Sequence, residues 1–381
     1  MKILYAATDQ DLASFHGGTI HILAVARELI RHGHEVHLLI QRSAQPRTVP
    51  EGITLHELPR THRFLLWTAG AQVQKLISDF RPDVVIERYY NFAGEAIIRA
   101  KTFGIPAVLE VNSPMIEYPG SMKSRVDLLL GGALRKRRER IASAASLIIS
   151  PMKEIVPEQY RNKVREIEWG ADTKLFDPDS LPDRSVLRSE LGFRADEVLL
   201  IHFGSLRKWH GLVKLLEAFD TARPKLNTPV RLIVVGPTND VAGIQRPGVQ
   251  FVGSIPHERL PRWLKISDLA VLPFAIEQHR YLELGFYWSP LKLFEAMAMQ
   301  VPVLTLEHKR LITLLGTDDS DFFYGGSTQD LSEKIRSAVE KLPLLAEKAK
   351  PFRLRILNQY SWEIHGNTLN EWLLELVDGK A

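Results

Sequence analysis

Three stretches of the sequence combine residue types that can hold an anion and a sugar-like diol. The first is FYWSPLKLFEAMAMQVPVL, Phe286 to Leu304. Ser289 is a good helix N-cap and Pro290 suits a first helical turn. The backbone N–H groups of Leu291 and Lys292 would then lack intrahelical acceptors and could face an anion. Glu295 follows about one turn on, where a carboxylate can accept two ribose hydroxyls, as acidic residues do in dinucleotide folds. The alternative is an amphipathic helix in which Glu295 pairs with Lys292 at i,i+3. The second stretch is Phe203 to Gly211, FGSLRKWHG. It follows an apolar run and opens a helical pattern, and Arg207, Lys208 and His210 add positive charge there. It reads either as a diphosphate site or as a tight strand-to-helix turn with solvated bases. The third is the pair Gly17-Gly18 after the first apolar run. Glycine pairs are common in turns, and what marks this one as a candidate phosphate-approach loop is its position at the end of the first strand.

The elements that would carry these residues alternate in type. KILYAA is a short apolar run. Ile22, Val25, Ala26, Leu29 and Ile30 then fall on one helical face, Gly33 is a good helix stop, and EVHLLI is a second strand. DVVIE (83–87), a helix from about Asn91, PAVLEV (106–111), a long helix around 124–143 and SLIIS (146–150) continue the rhythm. The stretch 169–184, rich in Asp and Pro, has no period and reads as a linker. A second series follows: EVLLIHFGS, a helix from about Gly211, VRLIVVGP, VQFVG, DLAVLPF, the helix of Glu295 and a strand at Pro302–Leu304, with a helical tail from Pro343. Such alternation implies parallel sheets covered by helices on both faces. Ligands of such sheets bind beyond the carboxyl ends of the strands, so the site is expected in a cleft between two domains.

Bulk properties agree with a soluble globular chain. The 381 residues suit two domains. Hydrophobic residues are 45% and charged residues 25%, which excludes a disordered polymer. There are no cysteines, so disulfides and thiolate zinc sites are excluded. The start MKILYAATDQ reads as a strand and not as a signal peptide. No apolar run is long enough to span a bilayer. The formal net charge of +4 is mild and does not point to nucleic acid. No Gly-x4-Gly-Lys-Ser/Thr loop is present, and the first strand lacks Gly-x-Gly-x-x-Gly, which counts against a P-loop enzyme and a dehydrogenase. No His-Glu-x-x-His pattern supports a zinc hydrolase. Asp9-Gln10-Asp11, Asp177-Pro178-Asp179 and Asp319-Ser320-Asp321 are Asp-x-Asp triplets of the kind metal-dependent transferases use. Such triplets arise easily by chance, and no metal role is expected of them.

In order along the chain, the Gly17-Gly18 loop, Glu110-Val111-Asn112-Ser113-Pro114, Gly204 to Gly211, Val252-Gly253-Ser254-Ile255-Pro256, Ser289 to Ala298 and Tyr360-Ser361-Trp362-Glu363 form a specific set. With this set the chain resembles the retaining nucleotide-sugar glycosyltransferases of the GT-B fold, glycosyl transferases group 1, which include mannosyl- and glucosyltransferases. The resemblance covers nearly the whole chain.

It implies an α/β fold of two Rossmann-like doubly wound domains facing across a cleft. Residues 1–172 would be the acceptor domain and 185–355 the nucleotide-sugar domain, with a helix over 356–381 returning to the first. It implies a UDP- or GDP-sugar donor, a glycan, glycolipid or lipid-linked acceptor, and no cofactor or metal. By position, Glu295 would hold the ribose. Ser289, Pro290, Leu291 and Lys292, with the loop of Ser205, Arg207, Lys208 and His210, would hold the diphosphate. Gly253 and Ile255 would flank the base, and Gly17 and Gly18 would approach the donor phosphates. Many relatives have Arg and Lys where Ser205 and His210 stand, which shifts the cationic, catalytic role to Arg207, with Lys208 beside it. Many have Glu at the place of Tyr287, leaving Glu277 or Glu283 as substitutes, and His at the place of Asn112, which inherits contact with the sugar. A catalytically inactive nucleotide-sugar-binding protein is the alternative. The basic run Arg135-Lys136-Arg137-Arg138-Glu139-Arg140 reads as a solvated helix face or as a peripheral contact with anionic lipid at the inner face of the membrane of a cytoplasmic protein.

Overall fold

The computed structural model describes residues 1–12, 17–43, 49–116, 122–129, 131–237, 245–279, 281–282 and 285–379. The chain divides into two compact units. One comprises Met1–Trp169, Tyr287–Ser289 and Trp362–Ala381, the other Gly170–Phe286 and Pro290–Ser361.

In the first unit the strands are β1 (Lys2–Ala7), β2 (Glu35–Gln41), β3 (Ile53–Leu58), β4 (Val84–Arg88), β5 (Ala107–Glu110), β6 (Leu147–Ser150) and β7 (Val164–Glu166). They form one sheet in the order β3-β2-β1-β4-β5-β6-β7, and every pairing is parallel. The order reverses between β1 and β4. That is where a doubly wound sheet opens a crevice at its carboxyl edge. The strands read as apolar runs because both faces are covered; Ile3 to Ala7, Val84 to Ile86 and Leu147 to Ile149 are buried. The connecting helices are α1 (Gly17–Arg31), α2 (Gly70–Phe80), α3 (Glu95–Thr102), α4 (Met122–Leu129) and α5 (Ala133–Ala144).

Two helices differ from the sequence expectation, and each difference has a local cause. The helix expected from about Asn91 begins at Glu95, because Gly94 turns the chain at φ +102°. The buried Glu87 carboxylate accepts the N–H groups of Gly94 and Ile97, both at 2.8 Å, and so fixes the start. The single helix expected over 124–143 is two helices. Gly131 and Gly132 take φ of +64° and +75°, a left-handed pair that ends α4. The Asp127 carboxylate then accepts the N–H groups of Leu134 (2.7 Å) and Arg135 (3.0 Å), which starts α5.

The second unit contains α6 (Arg184–Glu190), β8 (Val198–Phe203), α7 (Leu212–Ala222), β9 (Val230–Val235), β10 (Val249–Gly253), α8 (Leu260–Ile266), β11 (Leu269–Leu272), α9 (Leu291–Ala298), β12 (Val303–Leu306), α10 (Lys309–Leu315), β13 (Phe323–Tyr324), α11 (Thr328–Glu340) and α12 (Leu342–Gln359). Its sheet runs β10-β9-β8-β11-β12-β13, again all parallel, and reverses between β8 and β11. The final helix, α13 (Trp362–Val377), belongs to the first unit, where it packs on α1. Arg31 Nη2 donates to Asn367 Oδ1 at 2.7 Å, and a Cβ on Gly366 would lie 2.4 Å from Glu28 Cβ. Glycine at 366 is what allows that close approach.

Candidate active site

The second unit gathers most of the expected residues at the reversal between β8 and β11. The chain leaves β8 through Gly204 at φ +95°, passes Ser205 and Leu206, forms a single 3-10 turn at Lys208–His210 and enters α7 through Gly211 at φ +76°. Both glycines are required. A Cβ on Gly211 would lie 1.8 Å from the carbonyl oxygen of Pro273, in the loop after β11. A Cβ on Gly204 would lie 2.6 Å from Lys292 Cε. Gly211→Ala should therefore destabilise the second unit by about 2 kcal/mol or more, since the chain must shed both a left-handed strain and a backbone clash. Thermal melting checks this; an unchanged midpoint would contradict the packing of these two loops.

Lys292 sits in the first turn of α9 with its Nζ 3.0 Å from His210 Nδ1 and 3.4 Å from the Ser205 carbonyl oxygen. His210 Nδ1 also contacts the Ser205 carbonyl. Burial pushes the Lys292 ammonium down to about 7, against the pull of Glu295. Burial and then Lys292 hold His210 well below its ordinary range, with a smaller contribution from Arg207, so its ring is neutral. His202, buried beneath, is pushed down to about 3 by burial and by Lys292. The side chains of Arg207 and Lys208 are exposed and have no hydrogen-bond or ion-pair partner among the described residues. The N–H groups of Leu291 and Lys292, at the start of α9, likewise find no acceptor among the described residues. Cations, a helix N-terminus and a lysine with a depressed pKa converge here, an arrangement that an anion relieves.

The pairing of Lys292 with Glu295 is not what the structure shows. Glu295 Oε1 instead pairs with His257 Nε2 at 2.7 Å, and Lys292 turns towards the loop after β8. Nor does Ser289 cap α9. The N-cap is Pro290, with no side-chain bond to the helix. Ser289 Oγ donates to Glu168 Oε2 at 2.5 Å and accepts from Trp169 N–H at 3.0 Å, so it belongs to the first unit. Gly253, at φ +81°, ends β10, and Ile255 is half-buried in the loop that leads to His257. Glu277, on the 3-10 turn after β11, is salt-bridged to Lys214 at 2.9 Å with its side chain half exposed. Glu283 lies outside the described residues.

The remaining expected residues are in the first unit. Gly17 and Gly18 open α1. Asn112, just after β5, accepts the indole N–H of Trp169 at 2.9 Å through Oδ1; its buried Nδ2 has no partner among the described residues. Sequence reasoning did not find the group beside it. Glu110 accepts from Tyr5 Oη at 2.7 Å and pairs with the buried His21 Nε2. Burial raises the Glu110 carboxyl, but His21, then Arg88 and Tyr5, together outweigh it and hold it at about 2. The rings of Trp169, Trp362 and His365 surround His21 at 4.4, 5.3 and 5.9 Å. Only the local signature of Glu110 was legible; its partners come from 89 and 105 residues away.

The Asp-x-Asp triplets are engaged with cations. Lys348 bridges Asp319 and Asp321 at 2.6 and 2.9 Å, Arg353 holds Asp177 at 2.9 Å, and Arg88 faces Asp9 at 3.4 Å. Among the described residues no group of three or more His, Asp or Glu side chains could hold a metal ion. The basic run on α5 is divided in use. Arg137 binds the Ala93 carbonyl and Glu95, and Arg138 is buried against Asp127, which leaves Arg135, Lys136 and Arg140 exposed. No helix among the described residues is long and apolar enough to cross a membrane.

Comparison with known proteins gives this geometry its family. Residues 15–173 match the family model Glycosyltransferase Family 4, and residues 197–341 match Glycosyl transferases group 1. No curated protein sequence matches the chain. Among solved structures, sucrose-phosphate synthase from Thermosynechococcus elongatus superposes with a TM-score of 0.73 at 15% identity over 99% of each chain. HepE of Anabaena, in complex with UDP and glucose, superposes with a TM-score of 0.74 at 19% identity over 98% of this chain and 100% of that one. WaaG, a glycosyltransferase involved in lipopolysaccharide biosynthesis, superposes with a TM-score of 0.69 at 16% identity over 97% and 99%. At these identities the likeness shows the fold, two Rossmann-like units of parallel sheet. The chain belongs to the glycosyltransferases of GT-B fold, with a family 4 domain followed by a group 1 domain.

Proposed function

We propose that the protein is a retaining glycosyltransferase that moves a hexose from a UDP- or GDP-sugar to a hydroxyl of a glycan, glycolipid or lipid-linked acceptor, without a metal ion. The observation that carries this is the gathering of Arg207, Lys208 and Lys292 at the loop after β8 and the N-terminus of α9, with Glu295 one turn further along α9. Structures of HepE with UDP and with UDP-glucose support the nucleotide class. The second unit would hold the donor and the first would serve the acceptor, with Gly17 and Gly18 assigned to the donor phosphates and Asn112 to the sugar.

In this reading the acceptor hydroxyl attacks the anomeric carbon from the face that the diphosphate leaves. The departing phosphate oxygen takes up the hydroxyl proton, so no protein nucleophile is needed. Negative charge grows on that oxygen, and fixed donors around it lower the barrier. Arg207, Lys208 and the amides of Leu291 and Lys292 supply them. NMR of the freshly formed linkage tests the stereochemistry: the donor configuration should be kept, and an inverted product would remove the retaining assignment. A screen of donor hydrolysis over UDP- and GDP-sugars identifies the nucleotide and sugar.

Lys292 gives donor binding a pH signature. Its folded-state pKa, about 7, lies below the ordinary lysine value. A bound diphosphate favours the ammonium form. Affinity should therefore be fully present below pH 7 and weaken above it, by up to about tenfold per pH unit, until the pKa of the complex is reached. Lys292→Met should bind more weakly at pH 7 and lose this slope between pH 7 and 9. A wild-type profile that is flat across that window would contradict the role of Lys292.

Peripheral contact with anionic lipid is part of the same proposal. Besides Arg135, Lys136 and Arg140 on α5, the first unit exposes a 3-10 turn, Arg63–Ala69, with Phe64, Leu65 and Trp67 each about half exposed. The surrounding stretch, Pro59 to Ser78, carries Arg60, Arg63 and Lys75 and no acidic residue. Aromatic side chains flanked by arginine suit a headgroup boundary. Co-sedimentation with vesicles rich in phosphatidylglycerol should fall several-fold in a Phe64→Ser/Trp67→Ser variant. Equal sedimentation with neutral vesicles would contradict it.

A further inference from the structure

The carboxylate proposed to hold the ribose is itself held by a residue that neither the family pattern nor the sequence reading singled out. Glu295 is 6% exposed, and a carboxylate buried to that extent needs a partner. Its helix neighbour Lys292 points elsewhere. The partner is His257, whose Nε2 donates to Glu295 Oε1 at 2.7 Å. His257 lies on the 3-10 turn His257–Arg259 that follows β10, and its ring packs against Phe176 with centroids 5.2 Å apart. The imidazole is therefore aimed by packing and not by the charge pair alone. Burial lowers its pKa, but the Glu295 carboxylate, together with Glu258 and Asp172, outweighs burial and leaves it raised.

With Oε1 committed to His257, the carboxylate has one fixed rotation, and Oε2 is the oxygen left to meet a ligand. We infer that His257 is a positioning residue that orients Glu295 for recognition of a nucleotide's ribose diol. The inference rests on the proposed function, in which Glu295 binds that diol. A carboxylate free to rotate would give up part of the benefit of two hydroxyl bonds in ordering itself, whereas a preset one does not. A purely structural ion pair, tying α9 to the turn after β10, would stabilise the unit without distinguishing one nucleotide from another.

The two roles separate in a comparison of nucleotides with and without the diol. Calorimetry of the full chain would use UDP and GDP together with their 2′,3′-dideoxy diphosphates. The wild-type protein should prefer the ribose form of its nucleotide by roughly 10- to 100-fold. His257→Phe keeps a ring against Phe176 and removes the donor. It should shrink that preference about fivefold to tenfold while leaving affinity for the dideoxy form within about twofold. His257→Gln, which keeps an N–H donor, should recover most of the preference. An unchanged preference in His257→Phe, or an equal loss for both forms with a lower melting temperature, overturns the inference and leaves a structural pair. A wild-type protein that binds neither nucleotide overturns the donor reading and this inference together; one that binds while the preference is unmoved overturns this inference alone.

Discussion

Replacing Arg207 by alanine should lower kcat about 100- to 1,000-fold while raising the donor KM by less than about tenfold. The guanidinium is exposed and without a partner among the described residues, so its loss breaks no internal contact and the fold should keep its melting temperature. It stands in the loop after β8, close enough to His210 to help depress its pKa, beside Lys292. In the proposed complex the ground-state diphosphate charge would already be shared among Lys208, Lys292 and the α9 amides. In the transition state more charge gathers on the departing oxygen, and a contact that strengthens there appears in kcat. Steady-state kinetics with the donor varied separate the two constants. A loss confined to KM would make Arg207 a uniform binder and move the catalytic role elsewhere. Asn112→Ala should have a smaller effect, on sugar positioning.

Glu295→Gln should weaken the nucleoside diphosphate by one to two orders of magnitude with the fold retained. Charge-assisted hydrogen bonds contribute about 1.5–3 kcal/mol each, and an amide keeps the shape but not the charge. The same change removes the ion pair with His257 at 2.7 Å, so part of the effect is lost orientation. The variant should remain soluble and melt within a few degrees of wild type, because glutamine can still accept from His257. Unchanged nucleotide affinity in a folded Glu295→Gln protein would leave the glutamate a purely structural partner of His257.

The sequence was most informative where both faces of an element are covered. β1, β4, β6, β8 and β11 are short apolar runs because parallel strands are buried on both sides, and periodicity finds them. β3, Ile53–Leu58, is buried only at its two ends and contains Thr54, His56 and Glu57, which hides it among loops. β7, at the sheet edge, is three residues long and half-exposed. The break between α4 and α5 was masked by leucines on one side of Gly131-Gly132 and basic residues on the other, both of which suit a helix. At the site, glycines and charges in one loop were legible because the turn after β8 is local. Partners were not. Ser289 reads as an N-cap from its neighbours, yet its hydroxyl is claimed by Glu168 and Trp169, about 120 residues away. Lys292 and Glu295 are spaced to pair, yet Gly204 lets Lys292 approach the loop after β8, and His257 takes the carboxylate. Spacing along one helix cannot anticipate a competitor from another strand's loop.

The central claim is that the second unit binds a nucleoside diphosphate through fixed cations and backbone amides. Calorimetric titration of the full chain with UDP and with GDP, in buffer containing EDTA at pH 7, tests it most directly. One of the two should bind at one site per chain with a Kd in the micromolar range, about −8 kcal/mol, and Arg207→Ala together with Lys292→Met should abolish the heat. Absence of binding by both nucleotides in a folded wild-type protein, or binding that the double variant leaves intact, would contradict it.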